Sequence, residues 1–250
     1  MRQILVTNDD GVEADGLRAL AKTLRTLGDV TVVAPAEEAS AVSHALTGRR
    51  PLQLREVREA WYSVDGTPTD CVNVAISEVM GRVPDLVVSG INNGLNVGDD
   101  VTYSGTVAGA LEGVLLGAPA LAVSLQRSSG SMDYTAAAQV ARQLAASVLD
   151  QGLPPRTLLN VNVPRRAHHG IRVPVQARAR RTQAFGMHGP SGVEGQSLVD
   201  QVRGARLGAG CAVRLRHGPG RLGVGDPVAH RLDEPHGAGR GGDTHRHDPA

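Results

Sequence analysis

Apolar residues in this chain come in two arrangements that alternate along its first two thirds. Short unbroken runs such as Ile4-Leu5-Val6 are followed by stretches where Leu17, Leu20, Ala21, Leu24 and Leu27 recur every three or four positions. The first arrangement predicts strands and the second helices. The strands are expected over 3–6, 30–34, 61–64, 85–89, 120–125 and 157–163. Pro35 and Pro164 follow two of them. The helices are expected over 17–27, 69–80 with Pro68 in its first turn, 106–116 and 133–149. A polar loop of small residues fills 36–48, and a Gly- and Asn-rich loop fills 92–103. Most strand runs lack polar alternation, so both faces of the sheet should be covered. Strand–helix alternation then predicts an α/β fold with a doubly wound, mostly parallel, Rossmann-like sheet. Right-handed crossovers would place helices on both faces.

The pattern dissolves in the last third. From Ala184 to Ala250 there are 15 glycines, one Phe and no Trp or Tyr. Such a stretch buries little apolar surface. The expected organisation is an α/β catalytic domain over 1–175 and an atypical Gly/Arg/His-rich C-terminal region over 176–250, poorly ordered. The surplus of Gly, Arg, Pro and His fits translation of a GC-rich coding stretch out of frame. Resequencing to an intact frame would exclude that.

Composition narrows the function classes. At 250 residues and 41% apolar content the chain can bury a sizeable core. A net charge of +1 gives no strong pull toward nucleic acid or a membrane surface. No run of 18 apolar residues occurs, and the start lacks a basic segment leading into an apolar one. An unexported, cytoplasmic protein without membrane or specific nucleic-acid partners is the expectation. Cys71 and Cys211 form neither a metal spacing nor a disulfide framework.

Candidate chemistry gathers where strands end. Asn8-Asp9-Asp10-Gly11 follows the first strand directly. Adjacent carboxylates with no cation beside them repel, and a divalent metal removes that conflict. Two more segments emerge from strand ends, Ala39-Ser40-Ala41-Val42-Ser43-His44 and Ser89 to Asn96. The second runs on to Tyr103-Ser104-Gly105-Thr106. In open α/β sheets, ligands sit beyond the carboxyl ends of the strands. Together these loops offer carboxylates, hydroxyls and amides, an oxygen-rich set suited to Mg²⁺, Mn²⁺ or Ca²⁺. Ser104-Gly105-Thr106 opens a helix, and small residues at a helix start let a phosphate reach free N–H groups. Metal ligands beside a phosphate cradle suggest phosphoryl chemistry.

Each motif also has a plainer reading. Asp9 is also a candidate helix cap, and Asp10-Gly11 an ordinary turn. Ser104 suits a simple N-cap, and Asn92, Asn93 and Asn96 suit left-handed turn positions. His44 on a polar loop is more often solvated than catalytic, and Gly66-Thr67-Pro68-Thr69-Asp70 reads as a turn and helix start. A phospho-acceptor signalling domain is a further reading. It calls for a lysine after a later strand, and Lys22 is the only lysine.

The motifs taken together resemble the SurE family, the survival protein E nucleotidases. The resemblance rests on Ile4-Leu-Val-Thr-Asn-Asp-Asp-Gly11, Val32-Val-Ala-Pro35, Gly66-Thr-Pro-Thr-Asp-Cys-Val72 and Asp85-Leu-Val-Val-Ser-Gly-Ile-Asn-Asn-Gly-Leu-Asn96. Tyr103-Ser-Gly-Thr-Val-Ala-Gly-Ala-Leu-Glu-Gly113, Pro119-Ala-Leu-Ala-Val-Ser124 and Leu159-Asn-Val-Asn-Val-Pro164 continue it to about residue 173. The resemblance implies a metal-dependent phosphatase, a 5′-nucleotidase acting on nucleoside 5′- and 3′-monophosphates. It implies one divalent ion per subunit, Mn²⁺ or Mg²⁺, on Asp9, Asp10, Ser40 and Asn92. It implies phosphate contacts from Asn96, Ser104, Gly105 and Thr106. Asp9 and Asp10 are the candidate catalytic pair, and one of them, Asp9 by preference, is a candidate to take the proton of the attacking water. It also implies a homodimer or homotetramer. Two departures stand out. The family's Asp-Arg after Val-Val-Ala-Pro is Ala36-Glu37, and the aromatic hairpin and terminal strand expected after Val175 are missing. A non-catalytic homologue that only binds nucleotide is the alternative.

Overall fold

In the computed structural model, residues 1–165 are described. Seven strands form one sheet in the order β3-β4-β2-β1-β5-β6-β7. The strands are β1 (Gln3–Thr7), β2 (Asp29–Pro35), β3 (Leu54–Arg58), β4 (Trp61–Val64), β5 (Leu86–Asn93), β6 (Ala120–Leu125) and β7 (Leu158–Val163). All neighbours run parallel except β3, which pairs antiparallel with β4. Four α-helices accompany them: α1 (Asp15–Leu24), α2 (Pro68–Val74), α3 (Gly105–Leu115) and α4 (Thr135–Gln151). The doubly wound α/β expectation holds. The expected region 176–250 lies outside the described residues, as does the end of the expected 1–175 domain.

Alternate side chains of each buried strand serve opposite faces. Ile4 and Val6 of β1, with Leu86 and Val88 of β5, pack under Leu17, Leu20 and Leu24 of α1 and Ala137, Ala141 and Ala145 of α4. Leu5 and Val87 face the other way, toward Cys71 and Val72 of α2 and Val107 and Ala110 of α3. Both faces are therefore apolar, which explains the unbroken runs in the sequence.

Several boundaries differ from expectation. β3 was not foreseen, because all five of its residues are exposed and carry no apolar pattern. β5 runs four residues beyond its expected end, into the polar Gly90-Ile91-Asn92-Asn93 segment. The expected helix 69–80 is α-helical only to Val74 and continues as π-helical turns over Ala75–Met80. Part of the expected loop 92–103 is 3₁₀-helical, Gly98–Tyr103.

The strand order fixes where a ligand can sit. From central β1 the chain moves first to β2 on one side, and later to β5 on the other. That reversal is a topological switch point, where the loops after β1 and β5 part and leave a crevice. Among the described residues, no helix is long and apolar enough to cross a membrane.

Candidate metal and phosphate site

β1 and β5 set the register of the site. Thr7 pairs with Ser89, so Asp10 and Asn92 both stand three residues past that pair. Asp9 is 4% exposed, and its carboxylate accepts from the Thr106 hydroxyl at 2.5 Å, with the Thr106 backbone N–H adding a second bond. Burial nevertheless pushes the Asp9 carboxyl up. Asp10 is pushed up to about 6, first by burial and then by the charge of Asp9, against the opposing Asn93 backbone N–H and Arg127. Glu38 adds negative charge beside both. Neither aspartate has a cation within ion-pair distance among the described residues.

Asp9 caps no helix. The N-cap of α1 is Ala14, which makes no side-chain cap bond. The site instead depends on how closely α3 lies on the sheet. Gly105, Gly109 and Gly113 recur every fourth residue along α3. A Cβ at Gly109 would stand 3.0 Å from Thr7 and 3.1 Å from Ser89, and one at Gly113 2.8 Å from Val87. A Cβ at Gly105 would stand 2.8 Å from Asp9 Cβ and 3.1 Å from the Ala39 carbonyl. The glycine edge therefore lets the first turn of α3 press against Asp9.

Ser104 does cap α3, its hydroxyl accepting from the Val107 N–H at 3.1 Å. Its own hydroxyl proton has no described acceptor. The Gly105 N–H likewise has no partner among the described residues, while both donors of Thr106 serve Asp9. The anion-binding capacity left at this helix start thus resides in Ser104 and Gly105.

Ser40 is exposed and donates to Glu38 at 2.6 Å. Its loop is laced to the site and its surroundings at several points. Ala39 N–H bonds the Asp9 carbonyl at 2.8 Å, and Ser43 bonds the carbonyls of Thr102 and Tyr103. His44 Nε2 lies 2.6 Å from the buried Glu112, which also accepts from Asn73 at 2.6 Å. The Thr47 N–H and hydroxyl donate to Asp70 at 2.9 and 2.6 Å. Asp70 also closes the capping box of α2 with Thr67. The Gly66-to-Asp70 motif is therefore a helix start and also a clamp on the loop that carries Ser40.

Asn92 and Asn93 belong to β5, and none of Asn92, Asn93 and Asn96 has a positive φ; Gly94 does, at 146°. The left-handed reading of those asparagines is thereby corrected. The Asn92 amide nitrogen donates to the Gly94 carbonyl at 2.8 Å, leaving its oxygen for another partner. Asn96 is buried and donates from its side chain to Ser124 at 2.8 Å. Asn160 and Asn162 of β7 bond its carbonyl at 2.8 and 3.0 Å. That tie accounts for the Leu-Asn-Val-Asn-Val motif as a support for the loop after β5.

The donor set fits a hard divalent cation. It offers two ionisable carboxylates that repel, an amide oxygen and a hydroxyl, and no sulfur. Asn8 Oδ1 and Asn93 Oδ1, on residues flanking the aspartate pair, are buried without a partner. Among the described residues there is no cluster of three or more His, Cys, Asp or Glu side chains suited to a metal. Here the amide and hydroxyl would have to complete the pair. Sequence reasoning missed Glu38, Arg127 and Tyr134, whose phenol is pushed up by burial with Asp10 and Asp15 adding to it. Their placement depends on tertiary register, which no local motif encodes.

The chain is similar to known proteins along most of its described length. The family model described as "Survival protein SurE" matches residues 4–184. The 5′-nucleotidase SurE of Pelobacter propionicus is 55% identical over 183 residues, 73% of this chain and 74% of that relative. The 5′-nucleotidase SurE of Geobacter metallireducens is 59% identical over 162 residues, 65% of this chain and 64% of that relative. The crystal structure of the SurE protein from Aquifex aeolicus superposes with a TM-score of 0.62 at 44% identity, covering 65% of this chain and 66% of that one. The matched stretch thus spans about two thirds to three quarters of those proteins.

Proposed function

The chain belongs to the survival protein SurE family, and on that premise we propose that it is a 5′-nucleotidase, hydrolysing nucleoside 5′- and 3′-monophosphates to nucleoside and phosphate. The observation that carries the proposal is the meeting of Asp9, Asp10 and the first turn of α3 at the sheet's switch point. Asp9, Asp10, Ser40 and Asn92 would hold one divalent ion, Mn²⁺ or Mg²⁺. Such an ion supplies Lewis-acid polarisation of the phosphate and an acidified water.

The chain's own residues do the rest. Ser104 and Gly105 bind the phosphate through a hydroxyl and a backbone N–H. Thr106 holds the Asp9 carboxylate in one orientation, and that fixed carboxylate takes the proton of the attacking water. Asn96, tied to Ser124 and β7, holds the loop that closes the phosphate side. Burial strengthens each of these interactions relative to water. The homodimer or homotetramer and the cytoplasmic setting are carried in this proposal on family membership alone.

The test is phosphate release across a panel of nucleoside monophosphates, with Mn²⁺ or Mg²⁺ and with chelator. Metal-dependent release that falls at least about a thousandfold in Asp9→Asn is expected. Release that is indifferent to chelator, or retained in that variant, would overturn the assignment.

A further inference from the structure

Arg127 lies two residues beyond β6, at the carboxyl edge of the sheet. Its Nε and Nη2 both donate to the Asn93 carbonyl, at 3.2 and 3.1 Å. The same Asn93 residue turns its backbone N–H toward Asp10, so one residue of β5 joins the guanidinium to the carboxylate pair. The point where a Gly94 Cβ would stand is 3.7 Å from the Asn92 amide nitrogen and 4.0 Å from Arg127 Nη2. The guanidinium is therefore held on Asn93, the residue that follows the candidate cation ligand Asn92 in β5. Arg127 itself is exposed, and Nη1 has no partner among the described residues. An arginine oriented by a carbonyl with one face open is suited to a bidentate grip on phosphate.

Charge counting gives the reason for it. Asp9, Asp10 and Glu38 bring three carboxylates together, and among the described residues Arg127 is a basic side chain whose charge opposes theirs at Asp10. A divalent ion alone would leave a net negative site facing a dianionic substrate. We propose that Arg127 is a substrate-binding residue of this site, its open guanidinium edge receiving the phosphate group opposite the first turn of α3. The proposal rests on the phosphohydrolase reading above and adds to it the residue that makes the site attractive to an anion.

Arg127→Gln and Arg127→Lys separate this role from a structural one. Two quantities are measured by calorimetry, the binding of Mn²⁺ and the binding of inorganic phosphate at saturating Mn²⁺. KM and kcat for a nucleoside monophosphate are measured beside them. Loss of the positive charge should weaken phosphate about tenfold and raise KM alike, with kcat changed little. The same change should leave Mn²⁺ affinity equal or tighter, because a repelling charge has gone. Arg127→Lys should recover part of the phosphate affinity. An arginine that only props the Asn93 carbonyl would loosen metal and phosphate together, and that outcome overturns the inference. So does unchanged phosphate affinity in Arg127→Gln. A wild-type protein without metal-dependent turnover refutes the hydrolase reading, whereas the calorimetric comparison still decides on Arg127.

Discussion

Replacing Asp10 with Asn should make the metal-free protein more stable while abolishing its response to metal. Asp10 is pushed from the ordinary 3.8 up to about 6 by burial and by Asp9. Each tenfold change in ionisation is worth about 1.4 kcal/mol, so full conversion would give about 3 kcal/mol of strain at neutral pH. Asp10 keeps some solvent contact, and screening reduces this to about 1–2 kcal/mol. The folded state holds its proton more tightly than the unfolded chain, so stability falls as pH rises from about 4 to about 6 and stays low above it. Asp10→Asn removes that slope, and its amide oxygen can still accept from the Asn93 N–H. For a unit of this size the gain corresponds to about 2–8 °C in Tm at pH 7.5. Thermal unfolding followed by circular dichroism, with chelator and with Mn²⁺, reads both effects. Mn²⁺ should raise the wild-type Tm and leave that of the variant unchanged. A variant that melts below the wild type in chelator at pH 7.5, or still gains stability from Mn²⁺, would refute the reasoning.

Other consequences follow from the same geometry. Gly105→Ala puts a methyl 2.8 Å from Asp9 Cβ and should cost about 1–3 kcal/mol of stability together with most of the Mn²⁺ affinity, measured by melting and by metal titration. Unaltered Mn²⁺ binding would mean that α3 shifts freely. Asp70→Asn removes the charge that takes bonds from Thr47 and Thr67, and should cost about 1–3 kcal/mol and make loop 36–48 more sensitive to limited proteolysis. Cleavage at the wild-type rate would show that the clamp does not hold the loop. Mn²⁺ must displace a proton from Asp10 below about pH 6, so its half-saturating concentration should climb as pH falls through that value and level off above it. A flat profile between pH 5 and 7 would remove Asp10 from the ligand set.

The parts of the molecule legible in the sequence are those written in local patterns. Ile4 to Val6 and Ala120 to Leu125 read as buried strands because they are apolar on both faces. Leu17, Leu20 and Leu24 read as a helix because their spacing matches one buried stripe. Strand β3 left no trace, since nothing about Leu54 to Arg58 is buried and only its pairing with Trp61 to Val64 defines it. The end of β5 was hidden by its polar side chains. In the site, Asp9 and Asp10 were visible as a pair at a strand end. The hydroxyl that steadies Asp9 comes from Thr106, 97 residues away, and could not be assigned to it from spacing. Arg127 was equally hidden, as one arginine among many until β6 lay beside β5.

The glycine edge of α3 has a practical corollary for anyone trying to toughen this protein. Alanine in place of a helical glycine is ordinarily a dependable gain of about 0.5–1 kcal/mol, because the looser residue costs more to order. At Gly113 that recipe inverts, since the added methyl would wedge the helix off Val87 and carry Thr106 away from Asp9, and at Gly109 the methyl would press on Thr7 and Ser89. Heat-hardening by helix propensity and retention of metal-site geometry are therefore opposed along this edge, and substitutions for robustness belong on α1 and α4 instead.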